Sequence, residues 1–167
     1  FLARAGALKH LTGHRYQAHW DTAGIDNPSE IWKAADAHQP YETDVELDSP
    51  TNGDDLLADY RYLGLTLGTH PMGMLREDRE FHGYKTASDL ITYRQNQFVK
   101  VAGIVTCRQR PGSAGGVVFL TLEDETGNTN IVVWKSVLER NRSALLQGQL
   151  LAIKGVLERK GPVIHVV

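Results

Sequence analysis

The chain has 167 residues, 41% hydrophobic and 8% aromatic, enough to bury a sizeable core and ordinary for one or two globular domains. A single cysteine, Cys107, excludes an internal disulfide and any multi-cysteine zinc site, and it suits a reducing cytoplasm, where it reads as a small buried thiol. No apolar run approaches the roughly 18 residues needed to cross a bilayer, so no membrane partner is expected.

The start, FLARAGALKH, has neither a signal peptide's apolar core nor an initiator methionine and reads as the beginning of an excised piece. Residues 1–20 predict two short helices joined near Leu11-Thr12-Gly13, because Leu2, Ala5, Leu8 and Ala18 recur at helical intervals. Residues 21–53, rich in Asp, Glu, Pro, Asn and Gly, predict a linker with Trp20, Ile31 and Trp32 as scattered anchors. Residues 54–96 form a helical connector. Leu56, Leu57, Tyr60 and Leu63 give its first helix, ended by Gly64; His70-Pro71 forces a turn before a helix around Met72 to Leu75. Thr86, with Asp89 three residues later, caps another helix running to Tyr93.

From residue 97 the pattern changes to strands. Val99 to Cys107 is β-branched, with Gly103 as a candidate bulge. Arg108-Gln109-Arg110-Pro111-Gly112-Ser113-Ala114-Gly115 is a basic, glycine-rich exposed loop, and a second strand starts at Gly116. A third strand ends at Trp134. Ser136-Val137-Leu138-Glu139 has the capping-box pattern and opens a helix whose buried stripe is Leu138, Leu145 and Leu146, ending at Gly148. Leu150 to Lys160 alternates as a strand with a second candidate bulge at Gly155, and Val163 to Val167 begins a last strand, expected to be cut short. Three strands, a helix and two strands is the order of a five-stranded OB barrel, so the fold class is mainly β with α, a barrel over 97–167 preceded by a small, loosely packed helical segment.

Charge is divided unevenly. Residues 97–167 hold nine Lys or Arg against five acids, whereas residues 1–96 carry a net charge of −6, so a polyanion would meet the second half.

On the second strand Val118, Leu120 and Leu122 share one face, which sends Phe119 and Thr121 outward. Burying a phenylalanine is worth about 2 kcal/mol, so an exposed one needs a use, and stacking a base on it returns roughly 1–3 kcal/mol. Arg108 and Arg110 leave the first strand, and Lys154, Arg159 and Lys160 end the fourth, so two basic loops are expected to flank Phe119 along a phosphate backbone. Trp134 shares parity with Asn130 and extends the platform; Lys100 joins the same set.

Other constellations carry less. Glu123-Asp124-Glu125 invites a magnesium site, but Asp124 precedes Thr126-Gly127 in a tight turn whose amides it can accept, and no second carboxylate must converge on it. His10 and His14 have the i, i+4 spacing of a metal pair, with His19 near, yet a third ligand and a general base are missing. No catalytic residue and no cofactor is assigned to the chain.

Val101-Ala102-Gly103-Ile104-Val105, Arg108-Gln109-Arg110-Pro111-Gly112 and Phe119-Leu120-Thr121-Leu122-Glu123-Asp124-Glu125-Thr126-Gly127 resemble the C-terminal OB domain of bacterial DnaE-type, C-family DNA polymerases, in their error-prone (ImuC-like) branch. Phe1 to Arg15 resembles the end of that family's helix-hairpin-helix module, and Tyr60 to Pro71 its connector. The resemblance implies a part of a translesion polymerase acting in damage-induced (SOS) mutagenesis, repair and replication, with single-stranded DNA as ligand and magnesium used elsewhere in the parent enzyme. It also implies an ImuB-like accessory protein as the route to the sliding clamp; docking to ImuB or to a RecA-type partner is the alternative use of the same face. The pattern at Phe119, Leu122 and Asp124 is similar as well to anticodon-binding OB domains, where the matching phenylalanine stacks on a base and a glutamine near the position of Asn130 contacts one.

Overall fold

The computed structural model describes residues 1–23 and 45–167, which divide into two compact units, Phe1–Gly68 and Thr69–Val167. The division falls inside the 54–96 segment, and most of the expected 21–53 linker lies outside the described residues.

The first unit holds α1 (Lys9–Thr12), α2 (Arg15–Ala23) and α3 (Asn52–Tyr62). Gly13, at a φ of 89°, separates the first two. Thr51 and Asp54 close α3 with a reciprocal capping box. Among the described residues of this unit the buried apolar ones are Ala3, Ala5 and Ala18, and charge does much of the holding. Arg15, 3% exposed, pairs with Asp55 and Asp59, while Lys9 reaches Asp55 at 2.7 Å. Burial pushes the Asp59 carboxyl up, but hydrogen bonds from Arg15 and Thr66 outweigh it and hold the group below the ordinary aspartate value. Of His10, His14 and His19, the last two meet protein partners. The Nδ1 of His14 accepts from the Gln17 amide and its Nε2 meets the Leu47 carbonyl oxygen, His19 accepts from Arg4, and His10 is exposed.

In the second unit α4 (Pro71–Leu75), a 3-10 turn at Arg79–Phe81 and α5 (Ala87–Leu90) lead into β1 (Phe98–Gln109), β2 (Val118–Asp124), β3 (Gly127–Val133), α6 (Lys135–Arg140), α7 (Arg142–Gln147), β4 (Leu150–Lys160) and β5 (Val163–Val166). The strands close in the order β1-β2-β3-β5-β4, antiparallel throughout except for the parallel β3–β5 pair. This is the expected five-stranded OB barrel. Alternation sends Val118, Leu120 and Leu122 inward to meet Ile131, Leu157 and Val166. Leu138 and Leu145 of α6 and α7 close the end where β3 stops, and Leu90 of α5 plugs the end at the β2–β3 hairpin.

Five local expectations shift. The register irregularity on β1 lies between Val105 and Cys107, not at Gly103, and β4 runs past Gly155 without a break. Both glycines serve close approach instead, since a Cβ would stand 2.7 Å from the Glu123 carbonyl oxygen at Gly103 and 2.5 Å from that of Val167 at Gly155. The second strand starts at Val118, two residues late. The helix after β3 starts one residue before Ser136, with extended Trp134 as its N-cap and no side-chain cap, so the Ser136–Glu139 box is unused. It breaks at Asn141, which resets the helical phase and leaves Leu146 46% exposed.

Asp124 fastens the hairpin end. Its Oδ1 accepts from the Thr126 and Gly127 amides and the Thr126 hydroxyl at 2.7–3.1 Å, and its Oδ2 accepts from the Ala87 amide at 2.7 Å and Arg76 at 3.3 Å. The first residue of α5 is thereby tied to the turn it plugs. Thr86 and Asp89 complete a capping box there, and the Thr86 backbone amide is the main cause holding the Asp89 carboxyl below its ordinary value. Removing a buried charged acceptor leaves its donors unpaired, so Asp124→Ala is expected to cost roughly 3 kcal/mol. Urea unfolding followed by circular dichroism checks this; a loss under about 0.5 kcal/mol, the size of an ordinary surface change, would remove Asp124 from that role.

Candidate nucleic-acid interface

Phe119 is 38% exposed between Val118 and Leu120, each 2% exposed. It faces outward, opposite Gln109 on β1 and Val132 on β3. The next outward row crosses four neighbouring strands: Cys107, Thr121, Asn130 and His165, with Glu158 of β4 opposite His165. Cys107, Gln109, Phe119, Thr121, Asn130 and His165 line an open concavity of about 200 Å3. Trp134 continues the outward parity of Asn130 and Val132 in extended backbone and is 56% exposed, beyond the rim.

The cations fare differently from expectation. The bulge at Thr106 puts Arg108 opposite inward-facing Leu120, so its guanidinium turns to the barrel end and donates to the carbonyl oxygens of Leu145, at 2.9 Å, and Gly148. Arg159 lies opposite Ile164, and its Nη2 donates to the carbonyl oxygens of Leu90, Ile91 and Tyr93 at 2.5–3.1 Å, which satisfies the end of α5. Neither arginine flanks Phe119 as a free cation. Lys100 and Lys154 oppose each other across β1 and β4. Lys100 is nine residues from Gln109, on the order of 30 Å of strand contour, so this pair is also absent from the Phe119 row. Arg110, exposed at the start of the β1–β2 loop, and Lys160, exposed at the β4–β5 turn, remain at the two ends of the row without a hydrogen bond or ion pair among the described residues.

The alternation of β2 identifies Phe119, Thr121 and their parity, and the structure brings both beside Asn130. Cys107 is half-buried and lines the concavity, against the reading of it as a core thiol, because the bulge turns it outward opposite Thr121. Gln109 and His165 were missed; a register between distant strands has no signature within either strand. Among the described residues no three His, Cys, Asp or Glu side chains cluster as a metal site, and no helix is long and apolar enough to cross a membrane.

The closed β1-β2-β3-β5-β4 barrel with an exposed aromatic on β2 defines the class: an OB-fold domain, and residues 99–166 match the family model of the OB-fold nucleic acid binding domain. Over 99% of its length the chain is also similar to error-prone DNA polymerases, 48% identical to that of Alkalilimnicola ehrlichii, 45% to one of Pseudomonas fluorescens and 44% to that of Idiomarina loihiensis. The chain therefore matches a region of the error-prone DNA polymerases, as its motifs indicate. It spans 16% of the length of these curated relatives.

The two fates of the arginines separate by experiment. Arg108→Gln is expected to lower the unfolding midpoint while leaving the salt dependence of oligonucleotide binding unchanged. Arg110→Gln is expected to do the reverse, reducing the logarithmic salt slope by about 0.7, the value of one phosphate contact on a single strand. Equal effects on the slope would put Arg108 back on the interface.

Proposed function

We propose that the outward row between Arg110 and Lys160 holds single-stranded DNA, and that the chain serves as a strand-holding part of an error-prone, translesion polymerase used in damage-induced mutagenesis. The observation that carries this reading is Phe119, a large aromatic left 38% exposed on a concave face of an OB barrel. A base seated there recovers apolar contact that folding left unused, and its stacking tolerates any sequence because every base presents a π-face. Gln109, Thr121 and Asn130 supply neutral donors and acceptors around it, and Arg110 and Lys160 mark the ends of the strand's path. Nucleotide addition, with its magnesium, belongs to other parts of the parent enzyme, whose relatives are about six times longer than this chain.

With two free cations on the path, oligo-dT affinity should fall with salt at a logarithmic slope of about −1.4, shallower than four engaged cations would give. Phe119→Ala should lose roughly 1–3 kcal/mol of binding by fluorescence anisotropy at fixed salt. Absence of oligo-dT binding, with a protein partner captured on the same face instead, would overturn the reading in favour of a docking module.

Cys107 offers an independent reporter because it is the chain's single cysteine and lines the concavity. Its alkylation by N-ethylmaleimide should slow several-fold when the protein is saturated with oligo-dT. Unchanged reactivity under saturating oligonucleotide would place the strand elsewhere.

A further inference from the structure

The row beneath the aromatic platform includes a half-buried side chain without a polar partner among the described residues. On β5, Val166 is fully buried, so alternation turns His165 outward, where it stands opposite Asn130 on β3 and Glu158 on β4 and lines the same concavity as Phe119. His165 makes no hydrogen bond and no ion pair among the described residues, and its Nδ1 is enclosed without a partner. A neutral imidazole carries one proton, and a bare N–H shut away from water is costlier than a bare lone pair. The proton therefore belongs on Nε2, which leaves that nitrogen as an uncommitted donor on a residue that lines the concavity together with Asn130 and Thr121.

We infer that His165 is a recognition residue: its Nε2–H donates to an acceptor on the edge of a single nucleobase whose face rests on Phe119. This rests on the reading of the Phe119 face as a single-stranded DNA groove and deepens it. A space of about 200 Å3 admits one base, not a stacked pair. Phe119 supplies one wall, and β3 and β5 present the base edge with His165 and Asn130, one strand spacing apart. Glu158 is an acceptor on the far side of His165 and makes no ion pair with it, so it does not occupy the donor.

The test titrates oligo-dT, and the same oligomer with one abasic position placed in turn along its length, against the whole chain and three variants. His165→Ala and His165→Phe should each bind oligo-dT about tenfold more weakly, whereas His165→Gln, which restores an N–H donor, should stay within about threefold of the unsubstituted protein. For the oligomer whose abasic position falls in the concavity, the penalty of His165→Ala should shrink to under twofold, because the partner of the lost donor is already gone. Retained affinity in His165→Phe would show that the ring only packs or stacks, and would overturn the donor assignment. An undiminished penalty on every abasic oligomer would do the same, as would a His165→Ala protein that binds normally. Circular dichroism of each variant separates these losses from misfolding, and His165→Phe keeps a residue type well suited to a strand. Failure of the unsubstituted chain to bind oligo-dT would remove the underlying DNA reading; binding that depends on Phe119 and not on His165 would remove this inference alone.

Discussion

Asp124 accepts hydrogens from two parts of the chain that would otherwise be independent, the β2–β3 turn and the first residue of α5. Its carboxylate is 6% exposed, so each bond it makes is worth more than a surface contact, and each donor it leaves would be stranded. The consequence reaches across the barrel end. With Ala87 fixed, Leu90 is held in the core, and the end of α5 comes within reach of Arg159 on β4, whose guanidinium satisfies three carbonyl groups. Arg76 adds a bridge to Asp124 and to Glu125 beside it. The acidic string that resembles a metal site at the level of composition is consumed in holding the connector against the barrel.

Two arginines thus do the same job at opposite ends. Arg159 terminates α5 and Arg108 terminates α7, each placing a cation on the negative pole of a short helix whose last carbonyl groups have no partner within the helix. These helices are too brief to be stable alone, and they close the barrel because a side chain from a strand completes them. The positive charge of the second half therefore overstates what a polyanion would meet. Counting basic residues in a sequence cannot separate cations spent on helix ends from cations left in solvent.

Legibility followed the range of the interaction. The inward face of β2, the Thr86–Asp89 capping box and the turn acceptors of Asp124 are set by residues within a few positions of one another, and all three are plain in the sequence. The bulge at Thr106 exists only in relation to β2, and it decides the directions of Cys107 and Arg108 together. His165 acquires its neighbours through a parallel pairing with β3 that the hairpin-like spacing of β4 and β5 does not announce. Ser136 and Glu139 show the opposite error: a good local pattern was available, but the chain entered the helix earlier, at Trp134. The order of elements was legible because hydrophobic alternation specifies each strand separately, whereas the composition of the outward row depends on register, which only the closed barrel fixes.

Closure of both ends has one more effect. Leu90 packs into the core at one end and Leu138 with Leu145 at the other, and the Phe119 row lies on the barrel's flank between them. On the flank that carries Phe119, the surface offers a concavity with a ring on one wall and a short polar edge, and Arg110 and Lys160 stand at its margins. On the proposed single-stranded DNA reading, such a face grips through π-contact and hydrogen bonds rather than through field strength. Of these two modes, contact with base faces is indifferent to sequence and only mildly sensitive to salt, because neither term counts phosphates. A holder built this way keeps its grip as the strand's sequence changes beneath it, and its short footprint confines that grip to very few nucleotides at a time.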